Sequence, residues 1–158
     1  MRMNTSENKK AVIRSFRDLN VYQGAYEAML IMHKEVLPKL PLSEKFDLRD
    51  QLSRSTKAVP RLIAEGYAKK HQKAGFQKYL DDAHTESNES IVGIEQCRDL
   101  YNLDSNLSHD LIDRYEKISD SCLIWRKHGI LSKISDDKRH RRTIRVALPN
   151  NAFSDRKR

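Results

Sequence analysis

The stretch Phe76–Tyr101, FQKYLDDAHTESNESIVGIEQCRDLY, decides the fold. Phe76, Leu80, Ala83, Ser87, Ser90 or Ile91, Ile94, Cys97 and Tyr101 follow one another at steps of three or four residues. That spacing keeps side chains on one face of an α-helix, and here it is sustained for about seven turns. The middle of the ladder, Ala83, Ser87 and Ser90, is small. Small side chains let a neighbouring helix approach closely.

Working outward, Asn102 to Ser105 form a short turn, after which Leu107, Leu111, Tyr115, Ile118, Cys122 and Trp125 mark a fourth helix ending near Gly129. Upstream, Ser43 is a plausible N-cap for a second helix carrying Phe46, Leu48, Leu52, Val59, Ile63 and Tyr67. Pro60 lies inside it and predicts a kink, because the ring removes a ladder donor; Gly66 is a late weak point or the end. Lys69 to Lys73 form the polar link onward. Asp18 stands before a first ladder of Val21, Ala25, Ala28, Met29, Met32 and Val36, which Pro38 and Pro41 end. Tyr22, Tyr26, Leu30, Ile31 and Leu37 widen its apolar surface, predicting a second face buried against another chain or the N-terminal arm. Four helices joined by short turns predict an all-α, antiparallel up-down-up-down four-helix bundle over residues 18–133. A basic N-terminal arm (1–17) and a basic C-terminal tail (134–158) flank it.

Composition agrees with this reading. The 158 residues fit one domain, and 33% charged against 7% aromatic residues, with five Gly and four Pro, disfavour turn-dense β folds and doubly wound sheets. No run approaches the ~18 apolar residues of a membrane span. The polar start, Met1–Lys10, lacks the apolar stretch of a secretory signal, so a soluble cytoplasmic protein away from membranes is expected. Cys97 and Cys122 make no disulfide framework and read as reduced packing residues. No glycine-rich phosphate loop, nucleophile elbow, zinc-protease helix or paired-Cys motif occurs, so no catalytic residues and no cofactor are expected. Asp81 and His84 have the spacing of half a bundle metal site, but no second pair accompanies them. Glu65 lies four residues from Arg61 and reads as an ion-pair partner rather than a general base.

The charge becomes informative once divided. Residues 1–17 hold five basic residues against one acidic, residues 138–158 hold eight against one, and the remainder holds 17 against 20. A near-neutral domain with two basic arms suggests a polyanionic partner; a solvated tail is the alternative. Arg54, Lys57 and Arg61 share one face of the second helix, spaced to meet successive phosphates. From Arg54 to Lys78 there are seven basic residues and one acidic, whereas Asp81 to Asp120 holds three against eleven. The candidate nucleic-acid contacts are therefore Arg54, Lys57, Arg61, Lys69, Lys70 and Lys73 in the bundle, with Lys138, Arg139, Arg141, Arg142 and Arg145 in the tail. Complementary charge between protomers, or a solvated face, is the competing explanation. Ile144, Val146 and Leu148 alternate with Arg145 and Ala147, which permits a short strand or a mobile tail.

Several pieces together resemble a known family: Phe16-Arg17-Asp18-Leu19 with Val21-Tyr22-Gln23, Phe46-Asp47-Leu48 with Gln51-Leu52 and Arg54, Val59-Pro60 with Ile63-Ala64-Glu65-Gly66, and Phe76 with Tyr79-Leu80. Their order and spacing are similar to the bacterial four-helix bundle family, the proteins encoded by intervening sequences of 23S ribosomal RNA. The accessory variability determinants of diversity-generating retroelements look like its relatives. The resemblance covers about residues 16–130. It implies a ring-like homopentamer with a basic surface and no catalytic residues; in the retroelement relatives that assembly binds a reverse transcriptase and its template RNA. The chain departs from the family pattern at Tyr22, where Trp is usual, at Arg61-Leu62, where Ser-Asn is usual, and at Lys57, where an apolar residue is common. Two expectations follow: a non-catalytic, oligomeric nucleic-acid-binding accessory protein whose partner is RNA or DNA, or a structural oligomer serving as a protein scaffold.

Overall fold

A computed structural model describes residues 13–129 of the chain. Among them are four α-helices and no strand: α1 (Asn20–Ile31), α2 (Leu48–Ala68), α3 (Lys73–Tyr101) and α4 (Ser105–His128). The arrangement is consistent with a four-helix bundle. The widest interfaces are those of α3 with α2 and with α4, and α1 packs on α2 and α4.

The α3 ladder is the spine of the core. Phe76, Leu80, Ala83, Ser87, Ser90, Ile94 and Cys97 are all buried, while Ile91 is only half-buried, so Ser90 takes the inward position. The serines satisfy themselves locally: Ser87 donates to the Ala83 carbonyl at 2.7 Å and Ser90 to the Glu86 carbonyl at 2.8 Å. Ser90 Oγ also lies 3.1 Å from Ser55 Oγ of α2. Buried hydroxyls that bond within their own turn carry little desolvation cost. Asn102, at φ 53°, closes α3, and the Asp104 carboxylate accepts the Leu107 amide at 2.8 Å to open α4.

Cross-helix pairings rise along one helix as they fall along the next. Between α2 and α3, Gly66 meets Tyr79 and Leu80, Ser55 meets Ser90, and Leu52 meets Gly93. Between α3 and α4, Gln77 donates to the Arg126 carbonyl at 3.2 Å, whereas His84 meets Ser119 at 2.6 Å. Between α1 and α4, Asn20, Val21 and Gly24 share a cavity with Lys117, Ile118 and Ser121, and Glu27 pairs with Arg114 at 3.1 Å. The start of α1, the α2–α3 turn and the last turn of α4 therefore share one end of the molecule.

The structure corrects two helix boundaries. Ser43 does not cap the second helix. Leu42–Phe46 form a separate 3-10 turn, Asp47 breaks it at φ −124°, ψ −113°, and α2 begins only at Leu48. Phe46, expected in the core, is 85% exposed because it belongs to that turn. The first helix changes pitch before Pro41: Met32–Val36 form a π-helical turn and Leu37–Lys39 a 3-10 turn that contains Pro38. This retained coiling buries Met32, Val36 and Leu37 in succession. α2 runs unbroken through buried Pro60, whose missing amide leaves the Thr56 carbonyl without its ladder donor.

At the N-terminal side, Ser15 and Asp18 form a reciprocal cap around the 3-10 turn Phe16–Asp18. The Asp18 carboxylate accepts the Arg14 and Ser15 amides, each at 2.8 Å. Phe16 then sits edge-on to Tyr22 at 4.8 Å, and Tyr22 stacks on Tyr26 at 6.0 Å. Part of the wide apolar surface of α1 is thus covered by the arm, while Tyr26 remains 47% exposed.

Candidate nucleic-acid interface

Arg54, Lys57 and Arg61 do lie exposed on one face of α2. Two of the three are engaged along the same helix, Arg54 with Asp50 at 3.0 Å and Arg61 with Glu65 at 3.8 Å. Glu86 of α3 lies near both guanidinium groups; burial, then the neighbouring Glu89, raises its pKa while Arg61 and Arg54 oppose the rise. Lys57 makes no ion pair among the described residues, and its ammonium, after burial, is the second cause that lowers the pKa of His33. The His33 ring lies 3.4 Å from Thr56 Oγ1.

The α2–α3 turn is different. Lys69 follows the last turn of α2, Lys73 opens α3, and with Lys70 they are exposed and lack a carboxylate partner among the described residues. The Lys70 ammonium lies 3.8 Å from the Tyr67 ring centre. Lysines at the end of α2 complement its macrodipole, but Lys73 opposes that of α3, whose first turn contains no acidic residue. This end thus concentrates positive charge at some cost to the helix.

Sequence reasoning missed part of this end. Arg126 and Lys127 in the last turn of α4 and Arg17 beside α1 belong to it through tertiary packing, which composition cannot reveal. The Arg126 guanidinium pairs with Asp81 at 2.7 Å. Lys138, Arg139, Arg141, Arg142 and Arg145, with the alternating Ile144, Val146 and Leu148, lie outside the described residues.

The remaining polar groups are knitted into the bundle. His84 Nδ1 lies 2.6 Å from Ser119 Oγ, that hydroxyl donates to Asn88 Oδ1 at 3.2 Å, and Asn88 Nδ2 lies 3.3 Å from His84 Nε2. His84, Ser119 and Asn88 thus close a ring of three polar contacts between α3 and α4. Asp81 turns to Arg126 and His84 to Ser119, so this pair does not converge, and no group of three metal-ligating side chains assembles among the described residues. Burial pushes the Cys97 thiol up to about 11 and the Cys122 thiol up to about 12, which keeps both protonated and unreactive near neutrality. A cavity of about 340 Å³ beside Val36, Leu40, Cys97, Tyr101 and Leu103 lies at the opposite end from the lysine turn. No helix among the described residues is long and apolar enough to cross a membrane.

Fold and surface together describe a helical-bundle protein whose exposed chemistry is positive charge gathered at one end. The model of the 23S rRNA-intervening sequence protein family matches residues 17–122, more than half of the chain, and the chain belongs to that family. Nothing among the curated proteins or the solved structures matches it.

Proposed function

We propose that this protein is a non-catalytic, oligomeric accessory protein of the cytoplasm that binds nucleic acid, with RNA as its partner. On this reading the chain is an antiparallel up-down-up-down bundle, a topology supported by the descending pairings of α2 with α3, α3 with α4 and α1 with α4. Five such bundles form a homopentamer, in keeping with the family resemblance and with the exposed apolar side chains Leu42, Phe46 and Leu100. The likeness to retroelement accessory proteins supports a reverse transcriptase and its template RNA as the assembled partners.

One observation carries the proposal: Lys57, Lys69, Lys70 and Lys73 are exposed and, among the described residues, have no carboxylate to neutralise them, whereas Arg54, Arg61 and Lys78 are paired within the chain. Unpaired ammonium groups are available to phosphates. The alternative, a protein scaffold, draws on Phe46 and Leu42, which are 85% and 81% exposed. Light scattering combined with RNA titration of the full chain separates the two. An oligomer that binds RNA at low salt is expected. An oligomer without RNA binding would favour the scaffold, and a monomer of 18.5 kDa would remove the ring.

A further inference from the structure

Three aromatic rings at the lysine-rich end carry a cation over them. Arg17 lies 4.5 Å from the Phe16 ring centre, Lys70 3.8 Å from that of Tyr67, and Lys78 5.7 Å from that of Tyr79. The fold brings them to one end of the molecule. The 3-10 turn bearing Phe16 packs on α2, and α3 crosses the end of α2 where Gly66, beside Tyr67, faces the Tyr79 Cβ. The rings are half-buried, with one side on the core and the rest toward solvent.

Resting on the nucleic-acid reading above, we propose that this end binds a single strand, with unpaired bases stacked on Phe16, Tyr67 and Tyr79 and phosphates held by Arg17, Lys69 and Lys70. Interleaved cations and aromatic faces are what a flexible single strand requires: charge tracks the backbone while rings take the bases. A duplex keeps its bases stacked on one another and gains nothing from the rings. Long basic side chains now covering the rings swing to the phosphates as bases arrive, so ring and cation serve adjacent parts of one nucleotide. An acidic protein would use the lysines and leave the aromatic faces unused.

The test measures anisotropy of labelled oligo-U and oligo-dT, and of a duplex with the same number of phosphates, titrated with the full chain. Tighter binding of the single strands than of the duplex is expected. Tyr67→Leu, which keeps an apolar side chain, should weaken single-strand binding at least about fivefold with the salt slope unchanged. Lys70→Ala, on an exposed side chain, should instead flatten the slope by about 0.7. Circular dichroism confirms that each variant folds, and Arg17→Ala repeats the charge test from the other side of the end. Equal duplex and single-strand affinity, or a Tyr67→Leu loss shared equally by the duplex, would overturn the stacking site. So would poly-glutamate competing as well as oligo-U. Single-strand binding weakened only by Arg54→Ala, Lys57→Ala and Arg61→Ala would keep the general function and overturn this location. No binding to any nucleic acid would overturn both.

Discussion

At His33, burial first and the nearby Lys57 ammonium second hold the imidazole below its ordinary pKa, against a smaller opposing bond to the Ser53 backbone. The folded protein therefore disfavours protonation that the unfolded chain accepts near pH 6.5. The contribution of His33 to stability is present in full above about pH 6.5 and is lost as pH falls through the lowered folded value. Urea midpoints across this range should decline less steeply for His33→Gln than for the parent; an equal decline would place the acid sensitivity elsewhere. The same residue shows what single positions disclose. His33 is visible in the sequence between Met32 and Val36 of the first ladder, but its neighbours Thr56 and Lys57 come from another helix. The i to i+4 pairing of Arg61 with Glu65, by contrast, was legible because both ends lie on one turn spacing.

Among the elements, α3 was readable because its period is long and uninterrupted, so tertiary packing had nothing to overrule. The start of α2 was not. Ser43 has the chemistry of a cap, yet the chain there takes a 3-10 turn, and the Asp47 dihedrals re-aim it before Leu48. A local hydroxyl signal cannot distinguish an α-helical start from a tighter turn. Close approach of a neighbouring helix was expected at Ala83, Ser87 and Ser90 of α3; α2 also comes close to α3 at Gly93. A Cβ there would lie 2.4 Å from Leu52 Cδ2 and 2.8 Å from its Cγ, and Leu52 is buried. At Gly66 the added atom would meet Tyr79 Cβ at 3.4 Å, an ordinary contact. Alanine favours helix over glycine by about 1 kcal/mol, whereas overpacking a core costs about 1–3 kcal/mol. Gly93→Ala should therefore be less stable than Gly66→Ala by at least about 1 kcal/mol in denaturant titrations. Equal stabilities would mean that Leu52 yields without cost.

For the whole molecule, charge arithmetic located the positive regions, and topology decided which of them meet. Lys69, Lys70 and Lys73 were readable as a basic turn; that Arg17 and the last turn of α4 join them follows from how α1 and α4 pack. The described residues also end here, at Gly129, and the sequence beyond carries Lys138, Arg139, Arg141, Arg142 and Arg145. Nucleic-acid binding is most directly tested by the salt dependence of the full chain's affinity for single-stranded RNA. If Lys57, Lys69, Lys70 and Lys73 each neutralise a phosphate, log affinity should fall linearly with log salt at a slope of about −3 or steeper. Replacing Lys69, Lys70 and Lys73 by Ala should flatten it by about 2. A flat dependence, or no RNA binding at low salt, would contradict the account.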